Sequence, residues 1–239
     1  MTRNKHNLPD GWQWVKLESA LALPSAYLRS HFHSEEAKSW KQVKFKDILT
    51  SIQNGIYKTA DFYGSGYPFL RMYNIQNNSW HLTMSEIAKI TLTKDELNKY
   101  CLQEGDLLIS RVNSHELVGK CAYIQYDLSN YVYENMLIRL RLSQSVNSLF
   151  IAQQINSFNI RKQIQSVAKR AIGQSSINSK DIGNLILLIP SLERQREIAI
   201  ELNEKMRECE KLKQALQEQL ETVNQLPSAL LRRAFRGES

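Results

Sequence analysis

Apolar residues near the C-terminal end recur at intervals of seven: Leu202, Cys209, Leu216, Val223 and Leu230. A second set, Ala199, Met206 and Leu220, falls three or four positions away, with Lys213 and Pro227 in its remaining places. This is an a/d seam with a charged interruption. Ser191 offers an N-cap, and no glycine or proline intervenes before Leu226, so the pattern predicts one helix of roughly 50 Å at 1.5 Å per residue. Such a stripe packs on its own domain or against a second helix; the flanking Glu201, Glu204, Lys205, Glu208, Lys211, Gln217, Glu218 and Gln219 favour a second helix. Pro227 is expected to end or kink it, with Ser228 to Phe235 making a final turn or two.

Shorter periods precede it. From Trp40 to about Leu142, brief apolar runs between turn residues predict strands over Tyr67 to Met72, Asp106 to Arg111, Leu117 to Gln125 and Met136 to Leu142. In the last, Ile138, Leu140 and Leu142 alternate with Arg139 and Arg141, one face apolar and the other basic. Thr93 and Glu96 form a capping box for a helix over Lys94 to Tyr100. Phe150, Ile151, Ile155, Phe158, Ile164 and Val167 form a helical stripe over Asn147 to Ala171, with Gly173 as its stop. The polar stretch GQSSINSKD and a buried run, Leu185 to Ile189, complete the pattern. The fold class is α+β: a lead-in over 1–39, a strand-rich mixed domain over 40–190, and a long helix over 191–239. The chain reads as beginning twice, because Trp12, Val15, Lys16 and Leu17 recur as Trp40, Val43, Lys44 and Phe45. Coincidence of spacing and a duplicated domain start both account for that echo.

Composition narrows the function. With 239 residues, 42% hydrophobic and 23% charged, the chain has the balance of a globular protein. A net charge of +7 favours a polyanionic partner. Cys101, Cys121 and Cys209 are widely spaced and make neither a zinc pattern nor a disulfide framework, which suggests a reducing cytosol. No apolar run approaches a membrane span or a signal peptide, so no membrane association is expected. His31 and His33 have no third ligand beside them, so no metal is expected. Phosphate loops, HExxH, GxSxG and glycine-rich cofactor loops are missing, as are Asn-Pro-Pro-aromatic and acidic nuclease constellations. No cofactor and no catalytic residue is expected, and a binding protein fits better than an enzyme.

Read together, the start at Trp40, YPFLRMYNI, LQEGDLLISRVNS, LVGKCAYI, GQSSINSKDIGNLILLIPSLERQREIAIEL and LLRRAFRGES resemble the specificity subunits of type I restriction-modification systems. The resemblance runs from about Trp40 to Ser239. It implies a target-recognition domain, an antiparallel coiled coil, and double-stranded DNA, methyltransferase (modification) subunits and a restriction subunit as partners. Full-size members carry two such domains and two long helices; this chain has one complete set and resembles a half-size form. Two copies, or this chain and another specificity chain, would then pair through Leu202, Met206, Cys209, Leu216, Leu220, Val223 and Leu230 to read a bipartite site. The echo at Trp12 would mark a recognition domain whose body has been lost.

In that reading Lys44, Lys46, Lys58, Arg111, Lys120, Arg139, Lys169 and Arg170 supply phosphate contacts, which position without specifying. Base-reading candidates are the polar loop residues Asn74, Asn77, Asn78, Asn113, His115, Gln174, Ser175 and Asn178, since amides can bond adenine edges in two places. For any single one of them, ordinary turn chemistry is the better explanation. Arg71 is read as structural rather than as a DNA contact, and Tyr57, Tyr63, Tyr67 and Tyr73 as core packing. Two other classes compete: a coiled-coil adaptor that binds protein alone, and a free-standing methyltransferase or nuclease with a degenerate site.

Overall fold

The computed structural model describes the backbone of residues 17 to 236 and the side chains of 22 to 225 and of Phe235. Trp12, Val15 and Lys16 of the first W-x-x-V-K lie outside the described residues. The chain divides into two compact units, one of residues 25–204 and one of 205–239 with 1–24.

The helices are α1 (Leu17–Phe32), α2 (Glu35–Lys38), α3 (Lys94–Tyr100), α4 (Ser148–Ile155), α5 (Phe158–Val167), α6 (Ser179–Gly183) and α7 (Leu192–Arg236). The strands are β1 (Lys41–Lys44), β2 (Leu49–Asn54), β3 (Tyr63–Leu70), β4 (Ala88–Ile90), β5 (Leu107–Ser110), β6 (Val112–Asn113), β7 (Cys121–Tyr123), β8 (Val132–Tyr133), β9 (Leu137–Leu142), β10 (Lys169–Ala171), β11 (Gln174–Ser176) and β12 (Ile186–Ile189). They form a strand-rich mixed unit followed by a long C-terminal helix.

In the larger unit the main sheet has the order β2-β9-β5-β7, all antiparallel. Beside it stands β4-β3-β8, in which β3 and β8 run parallel. Leu70, Leu102, Leu108, Ile124, Tyr133 and Leu137 fill a core cluster, and Ile56, Phe69, Ile90 and Val132 a second. Each such side chain contributes about 1.5–3 kcal/mol by leaving water. Trp40 packs edge-on to Phe32 and Phe150, at 6.4 and 6.0 Å between centroids. Immediately after it, β1 pairs with β12, Val43 opposite Leu187. The W-x-x-V-K segment thus joins the start of the strand-rich region to its end.

Several elements differ from the sequence expectation, among them the polar stretch GQSSINSKD, which holds β11 and the start of α6. The strand expected over Leu117 to Gln125 is confined to β7, because Ser114 to Lys120 turn tightly and Gly119 takes φ 78°. The helix expected over Asn147 to Ala171 is two, α4 and α5, separated at Asn156 and Ser157. Asn156 folds its amide onto the Cys121 backbone, accepting at 3.3 Å and donating at 2.8 Å. Helix α7 continues past Pro227 to Arg236, since proline removes one backbone donor while the turns on either side can persist.

Candidate nucleic-acid interface

The segment after α5 leaves helical geometry at Ala168 (ψ 126°) and becomes strand β10. A two-residue turn, Ile172-Gly173 with Gly173 at φ 75°, returns the chain as β11. Arg170 lies opposite Ser175, and Ser175 in turn opposite Asn113 of β6. One small sheet therefore gathers Asn113, Lys169, Arg170, Gln174 and Ser175, residues 113 and 169–175 that are far apart in sequence. His115 joins them, its Nε2 2.8 Å from Arg170 Nη2 and its Nδ1 3.4 Å from Ser175 Oγ. A guanidinium only donates, so the Arg170 contact makes Nε2 the acceptor and leaves Nδ1–H to donate to Ser175. Lys169, Arg170, Ile172 and Gln174 are exposed, whereas Ser175 is buried and orients His115. Asn113 donates to Ser110 Oγ at 3.3 Å and accepts the Ser114 N–H at 2.9 Å.

Arg111 enters this sheet from β5, its N–H donating to Met136 O and its carbonyl accepting from the Ile177 N–H, both at 2.9 Å. Its Nε is buried without a hydrogen-bond partner.

A second grouping lies across the 114–117 turn. Lys120 donates to Ile75 O at 2.7 Å and to Asn77 Oδ1 at 3.3 Å. Asn77 and Asn78 are exposed, and Asn78 holds φ 57°, a value asparagine tolerates in turns. With Glu116, Asn156, Phe158, Arg161 and others they line a cavity of about 190 Å³. Burial lowers the Lys120 pKa, and the Arg161 charge lowers it further.

Other candidates stand elsewhere. Asn74 is fully buried, its carbonyl oxygen accepting the Arg71 N–H and its amide donating to Thr83 O and Ser85 O, so it does not face a groove. Lys58 pairs with Glu96 at 2.7 Å and sits 4.4 Å from the Phe62 ring centroid. Asn178 is exposed, and its side-chain oxygen caps α6. Arg139, expected on a basic face, is 3% exposed: the last carbonyls of α3 and Gln53 cover it, with Cys101 O and Gln53 Oε1 accepting from its guanidinium. Arg71 is itself exposed and pairs its Nε with the buried Glu134 at 3.1 Å. Tyr57, Tyr63 and Tyr73 are exposed at 72%, 37% and 50%, contrary to the core-packing expectation. Missed in the sequence were Arg29 and Lys162, which lie over the Phe158 ring, and Arg161, which lines the same cavity; as polar positions inside helical patterns they carry no distinguishing signal. Among the described residues no group of three or more His, Cys, Asp and Glu side chains could hold a metal, and no helix is long and apolar enough to cross a membrane.

Along α7 the seam changes character. Leu202, Met206 and Cys209 are buried, Leu216 is half-buried, and Leu220 and Val223 are 49% and 57% exposed. The Leu230 side chain lies outside those described.

The fold is thus a strand-rich mixed α+β domain carried with a long C-terminal helix. Residues 37–222 match the type I restriction modification DNA specificity domain, and the chain belongs to that family. It is 31% identical over 201 residues to the type I restriction enzyme EcoKI specificity subunit of Escherichia coli strain K12, across 83% of this chain and 43% of the relative. The putative MjaX specificity subunit of Methanocaldococcus jannaschii is 27% identical, across 84% and 46%. Among solved structures, the chain shares its fold with one from a study of assembly and conformational transition of the type I R-M system, at TM-score 0.71 and 20% identity over 93% of this chain and 53% of that one. The HsdS subunit of Thermoanaerobacter tengcongensis gives TM-score 0.60 at 20% identity, over 93% and 52%. The chain thus spans about half the length of these relatives.

Proposed function

We propose that this chain is a non-catalytic, cytoplasmic DNA-reading component of a type I restriction-modification system, directing methylation and restriction to a bipartite site. Residues 40–190 are the reading domain, 1–39 a lead-in and 191–239 the pairing helix. The observation that carries the reading is the β10-β11-β6 sheet, which draws Asn113, His115, Lys169, Arg170 and Gln174 from two distant segments together around one small sheet. In this reading Lys169, Arg170 and Arg111 neutralise phosphates, and Gln174, Asn77, Asn78 and Asn113 read base edges. The exposed Leu220 and Val223 are covered by a second long helix, from another copy or another specificity chain, packed antiparallel. Modification and restriction subunits supply the chemistry.

Gel retardation of duplex DNA tests this. Retardation should weaken steeply with salt, and Lys169→Ala with Arg170→Ala should reduce the salt slope by about two while weakening binding across sequences. A folded protein that fails to retard duplex at low salt would favour the adaptor reading.

A further inference from the structure

Lys120 and Arg161 are cations that line one cavity and that no carboxylate pairs with directly. Lys120 is 8% exposed, and its ammonium bonds neutral acceptors, Ile75 O and Asn77 Oδ1. Arg161 donates to two carbonyls, Val118 O and Glu116 O, each at 2.6 Å. Neither forms an ion pair with a described carboxylate. An ammonium has three N–H groups and a guanidinium five, so both keep donors beyond these bonds. Gly119 holds the intervening turn at φ 78°, where a Cβ would meet Ile164 at 2.6 Å and Arg161 Nη1 at 3.2 Å. The turn thus presses the Val118 to Lys120 backbone against Arg161.

The surroundings add positive charge. Phe158, which lines the cavity, has the Arg29 guanidinium 5.1 Å and the Lys162 ammonium 4.4 Å from its ring centroid. Glu116 is the one carboxylate among the lining residues, and it is exposed. Burial lowers the pKa of both Lys120 and Arg161. Burying cations without counter-charge is costly, and an anion in the cavity offsets that cost.

We propose that this cavity of about 190 Å³ is a binding site for one phosphate-type oxyanion, held by Lys120 and Arg161. Two sources offer that chemistry: a backbone phosphate of a duplex, reached across the 114–117 turn shared with the β6 sheet, or a free phosphate or phosphate monoester. The site does not depend on the DNA-reading role.

The test compares the thermal midpoint of the full chain in sodium phosphate and in sodium chloride at matched ionic strength. Phosphate should raise it by several degrees, saturably, and Lys120→Met and Arg161→Lys should each remove most of that rise. Should either variant fold poorly, side-chain nitrogen resonances of the wild-type protein serve instead, with phosphate shifting the Arg161 and Lys120 signals. No phosphate-specific rise, a rise undiminished in folded variants, or unmoved signals would overturn the site. Phosphate that competes with duplex retardation identifies a backbone phosphate as the natural occupant. Phosphate that binds without affecting retardation identifies a free ester. Loss of phosphate binding with normal retardation would sink the pocket alone, whereas absent retardation with a phosphate response would sink only the DNA reading.

Discussion

Gly55 occupies a position where backbone meets backbone: a Cβ there would lie 2.1 Å from Glu134 O and 2.4 Å from Tyr133 O. Those atoms belong to a paired segment, with the Ile56 N–H donating to Tyr133 O at 2.9 Å, and they cannot swing aside. Gly55→Ala should therefore destabilise the larger unit by more than about 2 kcal/mol; an unchanged urea midpoint would contradict the close approach. His33 gives a pH signature. Its ring lies 6.0 Å from Phe158, and its Nε2 is buried without a hydrogen-bond partner. Burial first, then the charge of Arg29, holds its pKa below the ordinary imidazole value. The unfolded chain thus binds a proton more readily, and stability falls as pH drops from about 6.5 towards the folded pKa. Wild type should lose more thermal stability than His33→Phe between about pH 7.5 and about pH 5.5, and parallel curves would remove His33 as the cause. Polarity at single positions was legible, but what covers them was not. Asn74 and Arg139 look like groove-facing residues in the sequence, yet loop carbonyls enclose the first and the end of α3 the second. Alternation identifies a face and says nothing of what lies over it.

Elements whose signals are local were read with correct boundaries. Helix α3 is one: the Thr93 hydroxyl accepts the Glu96 N–H at 3.2 Å, and the Glu96 carboxylate accepts the Thr93 N–H at 2.9 Å. That carboxylate also takes Lys58 at 2.7 Å, and the Lys58 hydrogen bond, with the Thr93 backbone bond, holds its pKa below the usual carboxylate range. Thr93→Ala should cost about 1 kcal/mol in denaturant unfolding, and a cost near zero would mean the cap adds nothing. Elements defined by long-range contacts were misread. The stripe of Phe150, Ile151, Ile155, Phe158, Ile164 and Val167 looks continuous in sequence, yet Phe158 and Val167 are exposed, and the break at Asn156 depends on a hydrogen bond to β7, 35 residues away. The β10-β11 hairpin was hidden similarly. Lys169 to Ala171 continue a helical pattern in sequence, and only pairing through β11 with β6 makes them a strand. The clustering of Asn113, His115, Arg170 and Ser175 was invisible for the same reason, although each had been chosen separately for its chemistry.

At the scale of the whole molecule, α7 is 45 residues long, about 67 Å at 1.5 Å per residue. Its seam is buried at Leu202, Met206 and Cys209 and increasingly exposed at Leu216, Leu220 and Val223. A helix whose apolar stripe continues past the point where its own chain covers it has surface left for another helix. If pairing of these arms fixes the separation of two reading domains, arm length sets the number of unread base pairs between half-sites. Inserting one heptad between Leu212 and Leu220 keeps the seam in register and adds about 10 Å of helix, on the order of three base pairs of duplex at about 3.4 Å each. Inserting four residues instead rotates the distal seam away from its partner. With the modification subunits present, the heptad variant should methylate sites with a longer spacer. The four-residue variant should lose both helix pairing and site methylation. A heptad variant that associates normally but methylates sites of unchanged spacing would show that something other than the helix sets the distance.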